Sequence, residues 1–401
     1  MKLCLINVTY KSGSTGRLVY QLHQYATEHG AQSSIAFGYG DQNAADGFSM
    51  YSKWGTHLHS FLSRKLCMQG LGSYMQTGRL VRYLKRTDPD VIHLHNIHGH
   101  YMHYPRLFRY LKKCKKPVIW TPHDCWAFTG KCAHFFAAGC DKWKTECYDC
   151  PNLATYPDST YDASRRNYRL KKKSFTALEN LTLVAISDWI GLQMQESFLQ
   201  GKHMVRIYNG VDTTMFHPME GCASVREKYG IPTDAFMVLG VSSVWKADKG
   251  LNTFLWLADN LPAGYVIAMV GVSEAQKKAL PSNIIGITKT ENTEELAALY
   301  SAADVLLNPS REETCSTVVL EAMACGTPVV ASNTTGCCVA LTDATGIAVD
   351  MRDIDAVLAA LERVRKNGKA GYLAHCVKHI SENYTVQKMC EQYWKLYQSV
   401  I

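Results

Sequence analysis

Short, almost wholly apolar runs alternate with amphipathic stretches along this chain, and the alternation starts afresh past its midpoint. Leu3–Val8 leads into Lys11-Ser12-Gly13-Ser14-Thr15-Gly16 and then a helical pattern over Leu18–His29, closed by Gly30. Val91–Leu94, Val118–Thr121 and Thr182–Ile186 repeat the strand signal, each followed by a polar or His-rich loop. Past Asn209-Gly210-Val211-Asp212 the rhythm restarts. Met237–Val241, Tyr265–Val270, Val305–Asn308 and Val329–Ser332 read as strands, and Leu251–Asn260, Thr293–Ala302, Thr317–Ala324 and Ile354–Lys366 as helices. Near-continuous Val, Ile and Leu runs are what parallel strands need when helices cover both faces. Alternation of this kind predicts two doubly wound α/β sheets, and 401 residues suit two cores better than one. Ligands of such sheets bind beyond the carboxyl ends of the strands, so a cleft between two of them is the expected active face.

No apolar run reaches the roughly 18 residues of a membrane-spanning helix. Met1–Val8 is too short for the apolar core of an export signal and reads as a first strand, so a cytoplasmic protein is expected. Its 15 cysteines are then expected to be thiols or metal ligands. Charge is uneven: about 25 Lys and Arg face about 14 Asp and Glu in the first 200 residues, while the remainder is slightly acidic. That asymmetry suits an anionic membrane surface or a polyanion, and equally suits solvated helix faces. A nucleic-acid partner is not expected, because no helix-turn-helix, RNA-binding strand motif or aromatic-interleaved basic stripe is present.

The densest chemistry lies in Asn308-Pro309-Ser310-Arg311-Glu312-Glu313-Thr314-Cys315-Ser316-Thr317 and the helix that follows, which Gly326 and Pro328 end. Ser316 is a candidate cap, and free amides at Thr317 would suit a diphosphate. Glu321, just over a turn in, can accept hydrogen bonds from vicinal ribose hydroxyls. Glu313 precedes the amides and would reach toward whatever the phosphates carry. Trp245-Lys246-Ala247-Asp248-Lys249-Gly250 joins a strand to a helix and supplies cations for a leaving diphosphate.

Glu313 and Glu321, with seven residues between them, and the following Ala322-Met323-Ala324-Cys325-Gly326-Thr327-Pro328-Val329-Val330 resemble glycosyltransferase family 4, retaining enzymes of the GT-B fold. Thr314-Cys315-Ser316 departs from the family's Gly-containing loop, and Val244 stands where an Arg is common. The resemblance implies two Rossmann-like domains facing across a cleft: 1–210 for the acceptor, 211–383 for the nucleotide-sugar donor, and 384–401 as a helix crossing back. It implies that Glu313 holds sugar hydroxyls, Lys249 the phosphates, with Lys246 as substitute for the missing Arg, and Glu321 the ribose. His123, at a strand end in Trp120-Thr121-Pro122-His123-Asp124, matches a family His facing the donor sugar. Gly13 and Gly16 match the family's Gly-rich loop, where a tight structural turn is the alternative.

The run His93-Leu94-His95-Asn96-Ile97-His98 could be an acceptor-side polar wall, a metal site or structure; His95 is the candidate for the wall. Asp88-Pro89-Asp90 has the form of a metal-binding Asp-x-Asp but reads as a cap and turn ahead of the strand Val91–Leu94. Cys132, Cys140, Cys147 and Cys150, within the Cys-rich insertion 125–150, could hold a structural zinc, remain free thiols, or form a disulfide or cluster. That insertion resembles a colanic-acid and exopolysaccharide subgroup of the family. The implied activity is metal-independent retaining transfer of a sugar, hexosyl in type, to a glycan or lipid-linked acceptor in bacterial surface polysaccharide synthesis, lipopolysaccharide and capsule included, on the inner face of a membrane. A nucleotide-sugar epimerase and a zinc-stabilised, nucleic-acid-binding module are the rivals.

Overall fold

The computed structural model describes all 401 residues, in two units: Met1–Tyr208 with Met389–Ile401, and Asn209–Lys388. In the first, seven parallel strands run β1 (Lys2–Thr9), β2 (Gln32–Tyr39), β3 (Gly47–Ser49), β4 (Val91–Leu94), β5 (Val118–Trp120), β6 (Leu181–Ala185) and β7 (His203–Arg206). Their order in the sheet is β3-β2-β1-β4-β5-β6-β7, so the winding direction reverses between β1 and β4. Burial follows the sequence runs: Leu5, Ile6, Ile92, Leu94 and Ile119 are all sealed from solvent. Each such side chain contributes about 1.5–3 kcal/mol. The helix Gly13–Glu28 begins four residues after β1, so Gly13 to Gly16 form its first turn instead of the loop expected from the sequence.

The second unit holds β8 (Phe236–Val241), β9 (Tyr265–Val270), β10 (Ile284–Ile287), β11 (Val305–Asn308), β12 (Val329–Ser332) and β13 (Gly346–Val349). Their order is β10-β9-β8-β11-β12-β13, again parallel and reversing once, between β8 and β11. Local chemistry sets the helix starts: Asn292 accepts from the Glu295 amide, Asp353 from Ala356, and Ser273 forms a capping box with Gln276. The chain enters and leaves this unit side by side, Val211 pairing with Thr385. The last helix, Val386–Ser399, carries Tyr393 and Tyr397 into the first unit. There His93 Nδ1 lies 2.7 Å from the Tyr397 hydroxyl, and Thr121 Oγ1 lies 3.0 Å from that of Tyr393. Asp88 ends the helix Tyr74–Thr87 in a left-handed conformation, and Asp90 accepts from the Lys2 amide at 2.7 Å. Both therefore serve as helix end and turn.

Candidate active site

Where a doubly wound sheet reverses, the loops after the two central strands diverge to opposite faces and leave a crevice at the carboxyl ends. In the second unit those loops follow β8 and β11, and they carry the residues singled out by the sequence. The β8 loop tightens into a single turn, Ala247–Lys249, and Gly250 follows at φ +77°. A Cβ there would collide with Pro309, so only glycine lets the two loops touch. Asp248 O accepts from the Arg311 amide at 2.9 Å, and Lys249 Nζ reaches Glu313 Oε1 at 2.5 Å. Burial pulls the Lys249 ammonium toward its neutral form, but Glu313 more than offsets this and holds its pKa above the usual lysine value. Lys246 is exposed, and its side chain does not share the contact.

The loop after β12 holds the other side of the Glu313 segment. Thr335 Oγ1 accepts from the Glu313 amide (3.0 Å), and the Gly336 amide donates to Glu313 O (2.7 Å). Thr334 Oγ1 donates to Arg311 O at 3.0 Å, and a Cβ on Gly336 would enter the Thr314 carbonyl. Thus both backbone groups of Glu313 are fixed by Thr335 and Gly336, which the sequence reading passed over. Their only sequence signal is a Thr-Thr-Gly turn directly after a buried strand.

Ser316 precedes the helix Thr317–Ala324 but does not cap it with its side chain; its Oγ accepts instead from Asn308 Nδ2 at 3.0 Å. The capping role expected for the hydroxyl is therefore corrected. Thr317 opens the helix on a partly exposed turn. One turn on, Glu321 Oε2 accepts from the hydroxyl of buried Tyr300 at 2.9 Å. Burial, then Glu321, pushes the Tyr300 pKa well up, so its phenol stays a donor and fixes the carboxylate. Tyr300 is another partner that the sequence does not reveal.

In the first unit the reversal lies between β1 and β4. Gly13 stands at φ +69° with open space around it. Gly16 is buried, and a Cβ there would fall 2.7 Å from Thr9 Oγ1, so this glycine brings helix onto strand. After β4 and β5, His95 Nδ1 meets His123 Nε2 at 3.1 Å, with the rings stacked at 5.3 Å. Burial, then His93 and His123, drives the His95 pKa well down. Burial takes His123 down to about 4, partly countered by Asp124. Both rings are therefore neutral at neutral pH, with one proton between the facing nitrogens. His98 pairs with Asp124 at 2.8 Å, so the His run divides into structural and facing members. His93 belongs to the first group, through Tyr397 and Thr121.

Cys132, Cys140, Cys147 and Cys150 line one cavity of about 20 Å³, walled by Phe135 and Trp143. Cys132 and Cys150 are 3.9 Å apart, and the Gly130 amide donates to Cys147 Sγ. No three His, Cys, Asp or Glu side chains are placed around a single point as a metal-binding set.

Residues 15–215 match the family model described as Glycosyltransferase Family 4, and residues 235–367 that described as Glycosyl transferases group 1. Over 247 residues the chain is 28% identical to WcaC of Escherichia coli (strain K12), named as a colanic acid biosynthesis glycosyl transferase. The match spans 58% of this chain and 60% of that relative, less than two thirds of its length. Sucrose-phosphate synthase from Thermosynechococcus elongatus aligns over 100% of this chain and 98% of its own, with TM-score 0.70 and 18% identity. Anabaena HepE in complex with UDP-glucose aligns over the whole of both chains, with TM-score 0.69 and 15% identity. The two wound sheets are those of the GT-B fold.

Proposed function

The chain belongs to glycosyltransferase family 4, and from that premise we propose that it moves a sugar from a nucleoside diphosphate to a glycan or lipid-linked acceptor of a bacterial surface polysaccharide, with retention at the anomeric carbon. The observation that carries this reading is the convergence of Lys249, Glu313 and the start of the helix Thr317–Ala324 at the reversal point of one sheet. Lys249 and the first amides of that helix would offset charge on the departing diphosphate. Glu321, held by Tyr300, would accept from the ribose hydroxyls, and Glu313 from those of the sugar. The name of WcaC supports a polysaccharide acceptor, and the UDP-glucose bound to HepE supports a nucleotide-sugar donor.

In the proposed step the bond from the anomeric carbon to the phosphate oxygen breaks as the acceptor hydroxyl attacks the same face. Its proton passes to the departing phosphate, so the enzyme supplies no nucleophile. Lys249 provides the charge that a divalent cation supplies elsewhere, and the step is proposed to run without a metal. The first unit, with its neutral His95–His123 pair, is proposed to receive the acceptor at the inner face of a membrane. A zinc on Cys132, Cys140, Cys147 and Cys150 would be structural. The Cys132–Cys150 separation is close to the edge of a tetrahedral thiolate site, about 3.8 Å for zinc–sulfur bonds near 2.3 Å. Elemental analysis of protein purified without chelator decides between one zinc per chain, lost on Cys150→Ser, and free thiols, the reading favoured by side chains that surround no single point.

The transferase reading is tested by incubating the full chain with a set of nucleotide sugars. Slow release of nucleoside diphosphate from one of them is the expected result. Interconverted sugars would point to an epimerase, and no nucleotide binding to a nucleic-acid or other binding module.

A further inference from the structure

The helix Lys53–Leu66 is turned the wrong way for a helix in water. Its sealed positions are His59 and Ser63, while Trp54, Leu58 and Phe61 stand 86%, 60% and 59% exposed. Those three recur at i, i+4 and i+7, so they form one stripe on the outer face. The orientation is set by a polar latch. His59 Nε2 accepts from the Gly70 and Gly72 amides at 3.2 and 3.1 Å, which leaves the proton on Nδ1 to donate to Ser73 Oγ at 2.9 Å. Burial takes the His59 pKa down to about 3, so the latch stays neutral and closed.

The surroundings of the stripe are cationic. Lys53, Arg64 and Lys65 lie on the same helix, which contains no Asp or Glu. The next helix, Tyr74–Thr87, meets it where the Gln76 side chain lies over Gly55. That helix adds exposed Tyr74 and Met75, then Arg79, Arg82, Lys85 and Arg86, again with no acid. A hollow of about 860 Å³ flanks the stripe, with Phe61, Leu153 and Ala154 on its wall beside Arg64, Lys65 and Thr160. The one carboxylate on its wall, Asp158, sits 3.9 Å from Arg64 Nε.

We propose that the helix Lys53–Leu66 is an interfacial membrane anchor, with Trp54, Leu58 and Phe61 entering the acyl boundary of an anionic bilayer and Arg64 and Lys65 meeting its phosphates. An amphipathic surface helix binds in this way when an aromatic and aliphatic stripe is edged by Lys and Arg. Long cationic side chains reach back to headgroup level while their stems stay apolar. Two adjoining helices that carry Lys and Arg but no Asp or Glu favour an anionic surface over a neutral one. The proposal deepens the placement of the first unit at a membrane, and its failure is separable from that of the transferase reading, since donor hydrolysis is measured without lipid.

Sedimentation of the full chain with vesicles tests it. The chain is expected to pellet with phosphatidylcholine–phosphatidylglycerol vesicles, less so as salt rises, and to stay in solution with phosphatidylcholine alone. The triple variant W54S/L58S/F61S is expected to lose at least about tenfold in vesicle affinity, with melting temperature and donor hydrolysis unchanged. Should that variant not melt cooperatively, Leu58→Asp carries the same readout from a single exposed position. Wild-type protein that ignores both vesicle types, or a triple variant that pellets like wild type, overturns the proposal. So does a wild-type dimer that the triple variant converts to monomer, since the stripe would then meet a second copy.

Discussion

Replacing Glu313 by Gln is expected to lower sugar transfer at least about a hundredfold, the scale on which one preorganised polar group acts in a transition state. The substitution keeps the size of the side chain and both backbone bonds to Thr335 and Gly336, so the loop stays in place. What it removes is the charge that faces Lys249 Nζ at 2.5 Å. Stability should change by at most about 1 kcal/mol, because both side chains are partly solvated and such pairs contribute little to folding. A large loss of rate at nearly constant melting temperature therefore separates a role in turnover from one in structure. Lys249→Ala is expected to do similar damage. The double variant should fall well short of the product of the two losses, since residues acting as one unit are not additive. Both single variants retaining full rate would remove these residues from the site.

The two segments could be found from sequence because each lies where a parallel strand must stop, and the resemblance to the family picked out Lys249 and Glu313 within them; their contact was not legible. Apolar runs bounded by Gly, Pro or Asn gave Tyr265–Val270, Val305–Asn308 and Val329–Ser332 at their observed limits, and Thr293–Ala302 and Thr317–Ala324 likewise. In these elements local preference and burial agree. Elsewhere they part. Gly13 to Gly16 read as a loop because glycine disfavours helix, yet at Gly16 close packing on Thr9 favours a helical turn with no Cβ. Ser316 carries a capping residue's chemistry but spends its oxygen on Asn308. Tyr300 reaches Glu321 across 21 residues, and Thr335 reaches Glu313 across 22; no periodicity encodes such contacts. The helix Lys53–Leu66 hides for the opposite reason. Its apolar stripe predicts a face turned inward, and the His59 latch turns it out.

Acidification is expected to unfold the first unit well before the second. His59, His93, His95 and His123 all lie there, and burial is the main cause that lowers each of their pKa values. In the unfolded chain these rings take up protons near the ordinary value, about 6.5. In the fold His123 resists until about 4 and His59 until about 3. Between those limits the unfolded state binds more protons, so stability rises with pH and is lost as pH falls. Each ring contributes a slope of about 1.4 kcal/mol per pH unit, and the four together roughly 5 kcal/mol per unit once pH is below about 6. A domain's whole stability is about 5–15 kcal/mol, so one to three pH units suffice. Asp124, whose carboxyl is taken down to about 2 chiefly by His98 against the opposing effect of burial, adds a further loss only at lower pH, below the usual carboxylate value. Calorimetry from pH 7 down to pH 4 should show one transition splitting into two, the earlier one moving steeply with pH. His59→Gln, which removes one titrating ring, should flatten that slope by at most about a quarter of its value, since His23, His100 and His103 are also lowered by burial, even where it lowers the melting temperature at pH 7. A first transition whose temperature is level between pH 6.5 and pH 4.5 would mean that the buried rings are protonated as readily in the fold as out of it.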